Sequence, residues 1–252
     1  MNVEVLGQQL KQLKLITAAS ELLSVLESNK KSISLDWVSD LLSREIDSRK
    51  ELALQSRIKR ARFPEINTLE SFDFDFNKKI PEEKIRELAL LEFVKRKGVA
   101  LFLGQTGTGK THLGLAIGLK TVAKGESVYW TTMKGLVQEI KKHKELNDLH
   151  ILFKKILQSR LIIIDDWGVI TVDRDVAEEI FDLLDRRRLS SALLLTSNRA
   201  VEEWPQVFPD QIVANATIDR IFDRAEVIEF EGKSYRLEGH LEKGSDKKKI
   251  KK

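Results

Sequence analysis

Leu6, Leu10, Leu13, Ile16, Ala19, Leu23 and Leu26 recur at intervals of three or four residues. That period puts side chains on one face of an α-helix. Ser34 stands where it can cap a second helical stretch, which carries Leu35, Val38, Leu41 and Leu42 and runs on through Ile46 and Ile58 until Pro64 stops it. No glycine interrupts residues 8 to 97. The pattern predicts a small all-helical domain over residues 1–65. "INTLESFDFDFNKK" then loses the period and reads as an irregular linker over 66–80. In "PEEKIRELALLEFVKRKG" a proline opens a helix and a glycine follows its basic end. Beyond it, "VALFLG" (99–104), "SVYWTT" (127–132), "LIIIDD" (161–166), "ALLLTSN" (192–198) and "EVIEFEG" (226–232) are short apolar runs separated by helical stretches. Continuous apolar strands alternating with helices predict an α/β fold, a parallel sheet covered by helices on both faces. This second domain spans 81–239, and the lysine-rich residues 240–252 read as a disordered tail.

Composition narrows the class. The chain of 252 residues has no cysteine, so disulfides and thiolate metal sites are out, which fits a reducing cytoplasm. "MNVEVLGQQLKQLK" lacks the basic and apolar segments of a secretory signal, and no apolar run approaches a bilayer span. The expected location is therefore cytoplasmic, with no membrane partner. A net charge of +4 is small but unevenly placed: residues 44–62 hold seven basic and three acidic side chains, and 241–252 hold six lysines and two acids. A basic helix and tail on a mildly acidic body suit either a solvated surface or a polyanionic partner. Arg57, Lys59, Arg60 and Arg62, with Lys141, Lys142 and Lys144 of "KKHK", are the candidate contacts should that partner be a nucleic acid; such cations would meet phosphates without reading sequence.

The chemistry begins at Gly104-Gln105-Thr106-Gly107-Thr108-Gly109-Lys110-Thr111, which fits G-x-x-x-x-G-K-[ST] between a strand and a helix. Glycines let the backbone curl so that N–H groups face phosphate oxygens, and the new helix directs its positive end at the same charge. With His112 directly after it, this stretch is the candidate site for ATP. Lys110 can reach the β- and γ-phosphates, and the Thr111 hydroxyl can ligate Mg2+. "LIIIDDWG" supplies two carboxylates where a buried strand ends. Asp165 would hold Mg2+ through water, and Asp166 stands where a residue polarises the attacking water. Asp is one methylene shorter than the glutamate common at that place, which implies slow turnover. In P-loop ATPases with such an acidic pair, the following strand inserts between the other two. Asn198, at the tip of "LLLTSN", is then the candidate γ-phosphate sensor. Arg220 and Arg224, read as four apart on one helix face, and Arg236 after the last strand, offer guanidinium groups for a transferring phosphate.

In this order, GQTGTGKTH, LIIIDDWG, LLLTSN, ATIDRIFDRA and GKSYR resemble the AAA+ ATPases of the IstB/DnaC branch, and most of all the IstB-like helper ATPases of insertion sequences. "SLDWVSDLLSREIDSRKELALQSRIKRARFPEINTLESFDFDF" is similar to that family's helical domain and its approach to the ATPase. The likeness runs from residue 5 to about 238. It implies that Arg220 reaches a neighbour's ATP and that Arg236 is a second sensor on the γ-phosphate. The place of Arg224 is often histidine in the family, which leaves the division between Arg220 and Arg224 open. Phe74 and Phe76 would either pack near the adenine or form a plain apolar joint. The resemblance further implies ATP-dependent self-association into a ring or spiral on duplex DNA and recruitment of a transposase. The alternative it allows is a DnaC-type loader of a replicative helicase. A metabolic P-loop kinase would leave the helical domain and the late arginines without a role.

Overall fold

The computed structural model describes residues 3–28, 36–235 and 237–238. Its contacts divide the chain into two compact units, Met1–Ser56 and Arg57–Lys252. Ser34, Arg236 and the lysine-rich tail, all singled out above, lie outside the described residues.

In the first unit the single long helix expected over residues 6–26 is two helices, α1 (Val3–Gln12) and α2 (Ile16–Ser28). Lys14 adopts φ 61°, and the N–H groups of Lys14 and Leu15 donate back to the carbonyls of Lys11 and Leu10. This is the paired bonding that ends a helix at a left-handed residue, here without glycine. The apolar stripe is consequently not one buried face: Leu6 and Leu13 are buried, whereas Ile16 and Leu23 are exposed. The third helix, α3 (Asp36–Ala61), places Ile46 in the same small core and lets Ser39 and Ser43 bond the Gln9 amide.

In the second unit the stretch after Pro81 is also broken. It forms α4 (Glu82–Leu88) and α5 (Glu92–Lys95), because Leu91 takes φ 67° to bury its side chain between them. Five strands follow: β1 (Val99–Gly104), β2 (Val128–Thr132), β3 (Leu161–Asp165), β4 (Ala192–Ser197) and β5 (Ala225–Phe230). All pair in parallel in the order β2-β3-β4-β1-β5, so β4 does insert between the phosphate-loop strand and the acidic strand.

Helices α7 (Met133–Glu145), α8 (Leu149–Leu157), α9 (Arg174–Arg187) and α10 (Gln211–Phe222) share one core with Val99, Leu101, Ile162, Ile164, Leu193 and Leu195. The alternate side chains serve α6 (Lys110–Ala123): Leu194, Thr196 and Ile163 lie so close to it that Gly114 and Gly118 leave little room for a side chain. These are the two covered faces that uninterrupted apolar strands require.

The tryptophan of "DDWG" belongs to this core. Trp167 is fully buried with its ring 6.1 Å from that of Trp204, in the 3-10 turn Val201–Val207. Ser197 joins them: its hydroxyl donates to the Trp167 carbonyl (2.8 Å) and accepts from Trp204 Nε1 (3.3 Å) and the Arg199 N–H (3.1 Å). Ser197→Ala leaves those buried groups unsatisfied and is expected to cost about 2 kcal/mol. Urea unfolding measures this, and an unchanged midpoint would contradict the assignment.

Candidate nucleotide site

Residues at or just beyond the C-terminal ends of β1, β3 and β4 meet in one cavity of about 370 Å3. Its walls include Thr106, Gly107, Thr108, Gly109, Lys110, Thr111 and His112 from the loop and the start of α6, Asp165 and Asp166 from β3, and Asn198 from beyond β4. Gly107 and Gly109 take φ 82° and 101°. A side chain there would be strained and would also collide, with Ser234 at Gly107 and with the Phe72 ring at Gly109. Lys110 is 7% exposed and donates from Nζ to the carbonyls of Gly104 (2.8 Å) and Gln105 (2.6 Å), so its ammonium lies across the loop that it follows.

Asp165 is buried and accepts from Thr111 Oγ1 (2.9 Å to Oδ1, 3.1 Å to Oδ2) and from Thr196 Oγ1 (2.5 Å). Burial raises its proton affinity above the ordinary carboxylate range, and the neighbouring Asp166 adds to the effect, against the hydroxyls that favour its charged form. A buried carboxylate held charged at a cost, with a threonine hydroxyl beside it, suits a divalent cation that keeps most of its ligands from water and phosphate. Asp166, by contrast, is exposed. It sits at φ 55°, a conformation aspartate tolerates, and its N–H donates to Thr196 Oγ1 (3.1 Å). The turn is closed by the Trp167 N–H on the Thr196 carbonyl (2.8 Å). Thr196 therefore holds the Asp165 carboxylate and the Asp166 backbone. It was visible only as part of a polar strand end, because nothing in a linear sequence says which hydroxyl faces the adjoining strand. Asn198 reaches the loop itself, donating from Nδ2 to Thr106 Oγ1 (3.3 Å).

Residues 65–77 form the other wall, through Glu65, Ser71, Phe72, Asp73, Phe76 and Asn77. Of the two expected phenylalanines, Phe76 lines the cavity and packs edge-on against Tyr235 (4.9 Å). Phe74 instead packs against Phe72 (4.8 Å) beneath the Arg86 guanidinium and does not line it. Phe72 and Tyr235 were not foreseen. The alternation in "SFDFDF" has no regular period to orient it, although the aromatic in "GKSYR" was a usable signal. His112 Nε2 lies 3.0 Å from the Thr68 carbonyl and its ring 5.2 Å from that of Phe72, which ties this wall to α6. The last segment is pinned too: Asn77 exchanges two 3.0 Å hydrogen bonds with the Lys233 backbone, and the Tyr235 N–H donates to the Gly107 carbonyl.

The arginines stand apart. Arg220 is in the last turn of α10, with Nε on Asp185 (2.6 Å) and a terminal nitrogen on Asp219 (2.9 Å). Arg224 does not share its helix face. The helix ends at Phe222, and Arg224 takes φ 59° in the turn into β5. Its carbonyl accepts from Val99, the first residue of β1. Both arginines thus lie at the edge of the sheet opposite the phosphate loop, a six-residue strand or roughly 20 Å away.

Three of the candidate DNA contacts sit in ion pairs. Arg62 pairs with Glu139 (2.6 Å), which also takes the Tyr129 hydroxyl, while Lys141 and Lys144 pair with Asp173 (2.5 Å) and Glu179 (3.2 Å) of the α9 region. Arg57 is half-buried, and Lys59, Arg60 and Lys142 are exposed.

A phosphate loop, an acidic strand end and a polar tip on the strand between them, on this parallel sheet, define a P-loop domain of the AAA+ class. The chain belongs to the IstB-like ATP binding protein family, whose profile matches residues 6–243. A protein of Pseudomonas aeruginosa named for ATP binding and for insertion sequence IS21 is 36% identical over 78% of this chain and 74% of its own. The corresponding protein of IS232 from Bacillus thuringiensis subsp. berliner is 34% identical over 82% of each chain. Among solved structures, the DnaC helicase loader (20% identity, TM-score 0.55) aligns with 68% of this chain and 99% of its own. The replication initiator DnaA bound to AMPPCP and single-stranded DNA (19%, TM-score 0.57) aligns with 68% and 52%. These two likenesses concern the fold. No helix among the described residues is long and apolar enough to cross a membrane.

Proposed function

We propose that this protein is a cytoplasmic ATPase that assembles on duplex DNA and recruits or activates the transposase of an insertion sequence. The observation that carries the reading is the separation of the parts. The phosphate loop, both carboxylates and Asn198 line one cavity, while Arg220 and Arg224 stand at the far edge of the sheet. Neither can serve the nucleotide of its own chain, so either would act on the nucleotide of a second copy. Lys110 and Asn198 contact the γ-phosphate side, Asp166 orients the attacking water, and Phe76 and Tyr235 offer faces to the base. Thr111 and Asp165 hold Mg2+, which supplies charge neutralisation on the phosphates. Arg236 remains the candidate second sensor, and the exposed cations of α3 and α7 the candidate phosphate contacts to DNA. The insertion-sequence names of the relatives favour a transposase over a replicative helicase as partner.

Mixing tests the composite site. Arg220→Ala should bind ATP normally and hydrolyse it at least about tenfold more slowly. Titrating in Asp166→Asn chains, which lack the water-orienting carboxylate but keep Arg220, should restore part of the rate. A flat response at every ratio removes Arg220 from the neighbour's site.

A further inference from the structure

Arg187 is buried in the α/β unit at 1% exposure, yet it donates to main-chain carbonyls: Arg220 O (3.1 Å) and Lys97 O (3.5 Å). Among the described residues its Nε has no hydrogen-bond partner. Burial pulls its pKa down to about 10, against the opposing field of Asp223. A guanidinium desolvated in this way adds little stability over an apolar side chain of the same length. What it supplies is position. The Arg220 carbonyl is one of the last four of α10, which lack a partner within the helix. Arg187 takes that carbonyl and fixes the end of α10 against α9 and the segment leading into β1.

The same turn of α9 holds the Arg220 side chain. Asp185 accepts from Arg220 Nε, and Phe181, four residues earlier on that helix face, lies under the guanidinium with its ring centre 5.8 Å away. A bond at Nε fixes the guanidinium plane through its inner nitrogen and leaves the terminal nitrogens for a ligand. The one terminal bond formed is to Asp219, which is 75% exposed and easily exchanged.

We propose that Asp185 and Arg187 are positioning residues that together mount Arg220 for the nucleotide of a neighbouring copy. The proposal rests on the trans reading of Arg220 given above. Asp185 orients the side chain and Arg187 sets the depth of the backbone, so losing either leaves Arg220 present but misplaced. Misplacement of a transition-state contact by about 1 Å is enough to cost on the order of 100-fold in rate.

The test uses the full chain with duplex DNA and four variants: Asp185→Ala, Asp185→Asn, Arg187→Met and Arg220→Ala. Affinity for a non-hydrolysable ATP analogue should stay within about twofold of the parent, and hydrolysis should fall at least about tenfold in the alanine and methionine variants. Asparagine keeps an acceptor for Nε and should retain most of the rate. Added Asp166→Asn chains should rescue Asp185→Ala and Arg187→Met as they rescue Arg220→Ala. Combining either change with Arg220→Ala should add no further loss. The proposal is overturned if Arg220→Ala shows loss and rescue while Asp185→Ala hydrolyses at the parent rate or is not rescued. If Arg220→Ala itself is never rescued, the trans reading falls and the mount with it. Should Arg187→Met fail to fold, Asp185→Ala decides, because that side chain is 46% exposed and lies off the core.

Discussion

Asp166→Asn is expected to slow ATP hydrolysis by about 100- to 10,000-fold, the range a positioned general base contributes, while ATP affinity changes by no more than about threefold. The substitution is close to a pure change of charge. Asn has the same shape and tolerates the left-handed backbone at φ 55°, the bond from residue 166 N–H to Thr196 is a main-chain bond, and the side chain is exposed. Neither the fold nor the Thr111–Asp165–Thr196 contacts depend on it. Phosphate release under steady state, with equilibrium binding of labelled ATP alongside, separates the two effects. Parental turnover in this variant would take Asp166 out of the chemistry.

Lys110→Ala should act one step earlier, weakening ATP binding by at least about 100-fold, or roughly 3 kcal/mol, and abolishing hydrolysis as a consequence. Two losses combine. The ammonium no longer neutralises phosphate charge in a cavity that also holds Asp165 and Asp166. The bonds from Nζ to the Gly104 and Gln105 carbonyls, which brace the loop, also disappear. Arginine should not substitute, because its planar fork is too large for a site where the lysine is 7% exposed. Calorimetric titration with ATP gives the affinity directly. A variant binding within a few-fold of the parent would show that backbone N–H groups alone hold the phosphates.

The phosphate loop and the acidic strand end were legible because each is contiguous. A phosphate loop is a local structure, and Asp165 and Asp166 follow directly from where four apolar residues end. The insertion of β4 between β1 and β3 was legible as well, through the strand arrangement that accompanies such an acidic pair in P-loop ATPases. Errors arose where a side-chain period was taken for an unbroken element. Lys14 and Leu91 take left-handed backbone at helix boundaries without being glycine, so no local residue type marks the break. Arg224 was misplaced for a related reason: spacing of four implies one face only while the helix lasts, and α10 stops at Phe222. The roles of Thr196, Phe72 and Arg187 come from partners 30 or more residues away. No local pattern records such partners.

The buried Trp167–Trp204 pair has a practical consequence. Trp167 directly follows Asp166, and Trp204 is joined through Ser197 to the residue before Asn198. Both indoles are shielded from solvent, whereas Trp37 of the N-terminal unit is 63% exposed. The intrinsic ultraviolet emission of this chain therefore combines a blue component anchored beside the acidic strand end, a contribution from the half-buried Trp130 of β2, and a red component from Trp37. A quencher dissolved in the buffer would extinguish the red one first and leave an unlabelled optical gauge of events around the triphosphate.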